Sequence, residues 1–386
     1  MLEHMHKRLA HLEDKILQQL EQHELKEYNK NLVKHPIKVK LDSINKKKLS
    51  LPHTLYPLKQ APIEWWYCTG HLQSSSSHTF GYEFCMFKFN PYASRFLSYP
   101  LSKFIKKQFL VLHCAITDIK NKKFIYHEES SILKKQSISY NNLHLSFDNS
   151  TIKLNNNIFH ITTKNKNFSL NFKLSPLKPL IKHFHSGFAI MYSPPEHRTY
   201  YLSYPRLKTT GKILLNNKVH EVEGLSWFDH QKMNNPPRSP LKGWDWFSIM
   251  FADNTELMIF LLKTKKGLLV NNLGGTYINK HSQLIPLKSP DIHLKNLSSW
   301  TSPHTKITYP QQWQLKIPKL KINIIITPTI SDQELGKNNI TPIAYWEGSC
   351  TVQGKKNNNY ITGQSYVELV GYDQRLSTRL FQAIIK

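Results

Sequence analysis

Long apolar runs are missing from this 386-residue chain. No stretch approaches the roughly 18 consecutive apolar residues that a membrane-spanning helix needs, so no such span is expected. The N-terminus lacks the hydrophobic core of a signal peptide, so export by a standard signal is not expected and the chain reads as cytoplasmic or peripherally membrane-bound. Cysteine is scarce, with four residues at 68, 85, 114 and 350 and no CxxC pair. That excludes both a disulfide-stapled miniprotein and a zinc-binding tetrad. HExxH, GxSxG, zinc-finger spacing and a nucleotide fingerprint are also absent, so neither a metal nor a cofactor is expected. Acidic residues are few, 26 against 52 Lys and Arg, giving a formal charge of +26. The lysines are scattered singly, as in "NSTIKLNNNIFHITTKNKN", without an Arg-rich stripe. They fit a solvated surface or a face toward an anionic membrane, and nucleic acid is not an expected partner.

What is present is material for a β core. Hydrophobic residues make up 40% of the chain, including 8 Trp, 18 Tyr and 19 Phe. Short β-rich stretches such as "HTFGYEFCMFKF", "FLVLHCAITDI" and "ELMIFLLK" alternate with turn-like "NN", "DNS" and "ADN" segments. Residues 1–30 differ: Leu2, Met5, Leu9, Leu12, Ile16 and Leu20 recur at spacings of three and four, predicting an amphipathic helix. That helix is suited to packing on its own domain, to self-association or to an anionic membrane surface. Residues 31–54 read as a basic linker or arm. A mostly β fold is expected beyond it, as two domains over 55–204 and 205–386, with the boundary at Pro205.

An acid beside aromatic residues recurs in "IEWWY", "GWDWF" and "YWEGS", and each is followed by an acid in an apolar strand, in "GYEFCMF", "NTELMIF" and "SYVELV". This suggests repeated hairpins and duplicated β domains. If residues 63–69 are extended, Glu64, Trp66 and Cys68 share one face and Trp65, Tyr67 and Thr69 the other. Glu83, Cys85 and Phe87 similarly oppose Tyr82, Phe84 and Met86. Glu64 and Glu83 are then interior polar positions, serving as struts or as functional acids, and Glu347 belongs with them.

The densest constellation is "GLSWFDHQKMNNPPRSPLKGWDWFSIMF". It places Asp229, His230 and Asp245 near Trp227, Trp244 and Trp246, with Arg238 in a proline-rich loop. An aspartate in an apolar pocket can act as a general acid near neutrality, with His230 as orienter or base and Asp245 in support. The alternative is a loop-tethering network around Arg238. Trp66 and Tyr67 are further wall candidates. His183, His185 and His197 are grouped, but without a recognised ligand pattern.

"PIEWWYCTGHL", "FGYEFCMFKF", "YYLSYPRLKTTGKI", "VEGLSWFDHQ", "GWDWFSIMFADNTELMIF", "GGTYI", "YWEGSCTVQG" and "GQSYVELVGY" occur in an order that resembles the lipocalin-like AttH and carotenoid 1,2-hydratase-related family. The resemblance runs from about residue 55 to 375 and leaves the N-terminal helix outside. It implies two lipocalin-like barrels or half-barrels around an apolar cleft. Hydratase members add water to a terminal isoprenoid alkene, and fungal relatives are associated with cyclisation of polyketide-derived substrates. Asp229 matches the acid of the family's W-x-D-H segment. The expected ligand is an apolar, isoprenoid- or lipid-like small molecule, held either for cofactor-independent hydration or isomerisation or for non-enzymatic binding.

Overall fold

Period-two alternation runs through the central strands and places apolar side chains on both of their faces, so each strand must be covered on both sides. The chain meets this demand by folding into two curled antiparallel half-barrel sheets packed face against face. The structure is a computed structural model and describes residues 51–91, 95–96, 99–100, 107–132, 134–184, 187–190, 198–233, 241–264, 273–336 and 344–372. The expected 1–30 helix, nearly all of the 31–54 arm, and Arg238 lie outside the described residues. Among the described residues, no helix is long and apolar enough to cross a membrane.

Among the described residues, the first sheet has thirteen strands between Ile63 and Met233, and the second has ten between Leu241 and Val370. The two share one layout. In the first, Ile63–Ser74 lies between Thr79–Phe89 and Lys218–Met233. In the second, Leu241–Phe251 lies between Glu256–Thr264 and Asn359–Val370. "IEWWY" and "GWDWF" therefore occupy equivalent opening strands. "YWEGS" and "SYVELV" instead belong to the closing hairpin of the second sheet.

The change of sheet falls between Met233 and Leu241, which corrects the boundary expected at Pro205. Arg198–Leu215 continues through Pro205, and both it and Lys218–Met233 belong to the first sheet. The register between these strands shifts between Tyr204 and Leu207. Proline is tolerated at such an irregularity because no regular ladder hydrogen bond is demanded of it there.

Three apolar layers result. Trp66, Phe84 and Phe172 belong to the interior of the first sheet, and Phe247, Trp313 and Trp346 to that of the second. The third layer lies between the sheets and includes Tyr67, Tyr201, Trp227, Trp246, Met258 and Phe260. Each fully buried large side chain contributes on the order of 2 kcal/mol through apolar burial. Polar clamps fix the sheets at the margins of this layer. Glu256 accepts from Lys178 Nζ at 2.7 Å and from Arg206 Nε at 2.6 Å. The Thr117 hydroxyl donates to Gln333 Oε1 at 2.8 Å.

Candidate active site between the two sheets

Alternation along Lys218–Met233 sends Leu225, Trp227 and Asp229 toward the second sheet, and Val222 and Phe228 into the first sheet's interior. Asp229 is buried there among hydrogen-bond donors. Trp227 Nε1 donates to its Oδ1 at 2.6 Å and the Tyr201 hydroxyl to its Oδ2 at 2.6 Å. The Ser203 hydroxyl also donates to Oδ1. Tyr201 is itself held from the second sheet, since Trp246 Nε1 donates to its hydroxyl at 2.7 Å. Behind Ser203, His183 Nε2 lies 2.7 Å from the serine oxygen and Nδ1 lies 3.0 Å from Thr276 Oγ1. The serine proton is committed to Asp229, so the consistent tautomer has His183 donating from Nε2 and accepting at Nδ1. Burial pushes the Asp229 carboxyl up to about 7, against the downward pull of its three donors. Burial also lowers His183 to about 3, which keeps it neutral.

His230 does not join this site, because neighbouring residues on a strand face opposite ways. Its ring stacks on Trp66 at 4.5 Å inside the first sheet, and its Nδ1 lies 3.0 Å from the Trp65 carbonyl oxygen. Trp66 is likewise part of that interior and not of the inter-sheet wall; its Nε1 donates to the Leu55 carbonyl at 2.9 Å. Asp245 is separated from Asp229 for the same reason. Trp244 and Trp246 face the first sheet, while Asp245 pairs with Lys263 at 2.5 Å and accepts from the Tyr372 hydroxyl at 2.7 Å. Glu64 also points away from the inter-sheet layer. It forms a buried ion pair with Lys88 at 2.9 Å, and Leu58 N donates to both of its oxygens at 3.0 Å.

A second set of acids does face the inter-sheet layer. Glu347 accepts from the Tyr67 hydroxyl, and Glu368 accepts from Trp244 Nε1 at 2.9 Å. Glu83 is 0% exposed, and among the described residues neither of its carboxyl oxygens has a hydrogen-bond partner. Burial raises all three carboxyls: Glu368 to about 7, Glu83 and Glu347 well above the usual range. Nearby acids add to the rise in each case. Trp65, Phe87, Phe184 and Trp244 are only partly buried and form the outer margin of the aromatic layer.

Among the sequence candidates, the structure thus brings together Asp229, Trp227, Trp246, Trp244, Tyr67, Glu83 and Glu347. Sequence reasoning missed Tyr201, Ser203 and the His183–Thr276 pair. The available signal was the polar pair spaced by two in "YYLSYP", which puts Tyr201 and Ser203 on one strand face. His183, considered earlier as a metal ligand, serves this hydrogen-bond chain; His185 and His197 lie outside the described residues. Among the described residues, no group of three or more His, Cys, Asp or Glu side chains is placed to hold a metal ion.

The sequence matches the AttH-like family model over residues 43–372. A Nitrosomonas europaea protein described as an AttH has a similar structure, with a TM-score of 0.73 at 22% identity, covering 84% of this chain and 97% of that one. Kievitone hydratase from Nectria haematococca gives a TM-score of 0.63 at 14% identity, covering 82% of this chain and 91% of the hydratase. CghA, solved with Sch210972, gives 0.50 at 7% identity, covering 80% and 88%. At these identities the likeness is one of fold. No curated protein matches the sequence.

Proposed function

The chain belongs to the AttH-like family, and on that premise we propose that its inter-sheet layer binds an apolar, alkene-bearing small molecule and that Asp229 protonates it. One observation carries this reading: a buried carboxyl with a near-neutral pKa, held by Trp227, Tyr201 and Ser203 beside the Trp246 ring. A carboxyl poised near 7 is substantially protonated at neutral pH and still readily gives up its proton. Transfer of that proton to an alkene carbon leaves a carbocation on the substrate and a carboxylate on Asp229. The three donors stabilise the carboxylate in place, and the faces of the indole rings favour the cation. Addition of water with return of one proton to Asp229 completes a hydration. Loss of a neighbouring substrate proton to Asp229 completes an isomerisation. The fold shared with kievitone hydratase supports hydration as the leading form.

The test is incubation of the full chain with isoprenoid alkenes in oxygen-18 water, followed by mass spectrometry. Incorporation of one labelled water by the native protein, and its loss in Asp229→Asn with ligand binding retained, is the expected result. Undiminished product from Asp229→Asn would refute the acid role. A second reading is a non-enzymatic carrier of the same ligand. It is favoured by the way three donors match an ionised, purely structural Asp229, and it predicts that bound alkene is recovered unchanged.

A further inference from the structure

The acids Glu64, Asp245 and Glu256 each have a basic partner. Lys88 lies 2.9 Å from Glu64, Lys263 lies 2.5 Å from Asp245, and Lys178 and Arg206 lie 2.7 and 2.6 Å from Glu256. Glu83, Glu347 and Glu368 depart from this pattern: among the described residues, no Lys or Arg pairs with any of them. In a chain with 52 Lys and Arg, three acids turned toward one aromatic layer without a cation are conspicuous. A carboxylate removed from water without a counter-ion is costly, and Glu83 lacks even a hydrogen-bond donor among the described residues.

Further buried polar atoms without hydrogen-bond partners among the described residues surround these acids. Thr69 lies directly opposite Glu83 in the strand register, and its buried hydroxyl has no hydrogen-bond partner among the described residues. His113, opposite Cys85, donates or accepts at Nδ1 with the Tyr345 hydroxyl at 2.6 Å, while its buried Nε2 has no partner among the described residues. Period-two alternation puts Thr69, Glu83, Cys85 and His113 on the same inter-sheet face. Aromatic rings adjoin them: Phe87 lies 5.1 Å from His113 and 6.3 Å from Trp65, and Trp244 bonds Glu368. Carboxyls and aromatic faces together are the chemistry that holds an ammonium group.

We infer that Glu83, Glu347 and Glu368 receive the ammonium group of an otherwise apolar, amine-bearing small molecule whose hydrocarbon part lies along the aromatic layer. This rests on the reading of that layer as an apolar ligand site. The test uses the full chain and two probes with one carbon skeleton, geranylamine and geraniol, compared by calorimetric titration near neutral pH. The native protein is expected to bind the amine at least about ten-fold more tightly than the alcohol. Glu83→Gln and Glu368→Gln should each pull that ratio toward one while geraniol affinity is kept. Glu368 is half-buried, so its variant carries the test if Glu83→Gln does not fold. Equal binding of the two probes, or an amine preference untouched by both variants, overturns the ammonium site and leaves the apolar site standing. Binding of neither probe overturns both.

Discussion

The Tyr67 hydroxyl of the first sheet donates a hydrogen bond to Glu347 of the second, joining residues 280 positions apart. Tyr67 also lies directly opposite Asp229 in the antiparallel register, so one strand position adjoins both groups of acids. The phenol supplies Glu347 with a donor where burial and neighbouring acids disfavour its charge. Tyr67→Phe should cost about 1–3 kcal/mol in urea unfolding, the usual penalty for stranding a buried polar group. In a Glu347→Leu background the same change should cost clearly less. Equal costs in the two backgrounds would mean that the bond does not couple the sheets.

Asp229 and His230 should separate cleanly in kinetics, because they face different layers. Asp229→Asn keeps the shape of the side chain and removes the transferable proton, so turnover should fall by about 10²–10⁴-fold, the range for loss of a general acid. His230→Phe keeps a ring against Trp66 and should lower the melting temperature while leaving turnover within a few-fold of native. A loss of turnover in His230→Phe comparable to that in Asp229→Asn would contradict the placement of the two side chains.

The stability that Asp229 and Glu368 contribute should fall as pH rises from about 4 to about 7. Burial lifts Asp229 from 3.8 to about 7 and Glu368 from 4.5 to about 7. Both groups hold protons in the folded state at pH values where the unfolded chain has released them. Their contribution is complete below the unfolded values and is lost as pH passes through the folded ones. Glu368→Gln should therefore match the native protein in urea midpoint near pH 4 and exceed it near pH 8. A gain confined to the acid side would reverse this assignment.

The buried pair of Glu64 and Lys88 should be costly to break from one side. Lys88→Met strands a carboxyl that is 0% exposed, and loss of one partner from such a pair costs about 3–5 kcal/mol. Lys232, at 3.9 Å from Glu64, compensates only in part. The double change Glu64→Gln with Lys88→Met should recover much of the loss in a melting experiment, because the uncompensated charge is gone.

Much of this architecture is legible in the sequence through a single rule, the alternation of faces along a strand. Applied to residues 63–69 and 82–87, that rule separates Glu64 from Tyr67 and Glu83 from Phe84 as the structure does. The same rule, applied to "WFDH" and "GWDWF", would have parted His230 and Asp245 from the face that carries Asp229 and Trp246. Proximity in sequence argued for one cleft, but strand geometry forbids it. Tyr201, Ser203 and His183 were harder to find. Their meeting with Asp229 depends on the pairing of Arg198–Leu215 with Lys218–Met233, and the expected boundary at Pro205 cut through that hairpin. Glu368 was visible only as an acid in an apolar strand; its nearness to the acids of the first sheet depends on how the two sheets pack.

The two sheets approach closely where Gly81 meets Ser349. A Cβ on Gly81 would lie 2.6 Å from Ser349 Cβ and 3.3 Å from Thr117 Cβ, too close for carbon atoms to coexist without movement. Gly81 has an ordinary extended backbone, so its requirement is for space alone. Gly81→Ala should therefore act as a wedge between the sheets and cost about 1–3 kcal/mol, as overpacking does. It should also disturb the neighbouring bond from Thr117 to Gln333. Ser349→Gly removes the nearest clashing atom, at a backbone cost of about 0.5–1 kcal/mol. The double variant should thus melt above Gly81→Ala and below the native protein. If Ser349→Gly instead adds its full cost to that of Gly81→Ala, the two residues do not meet, and the close approach of the sheets at this point is wrong.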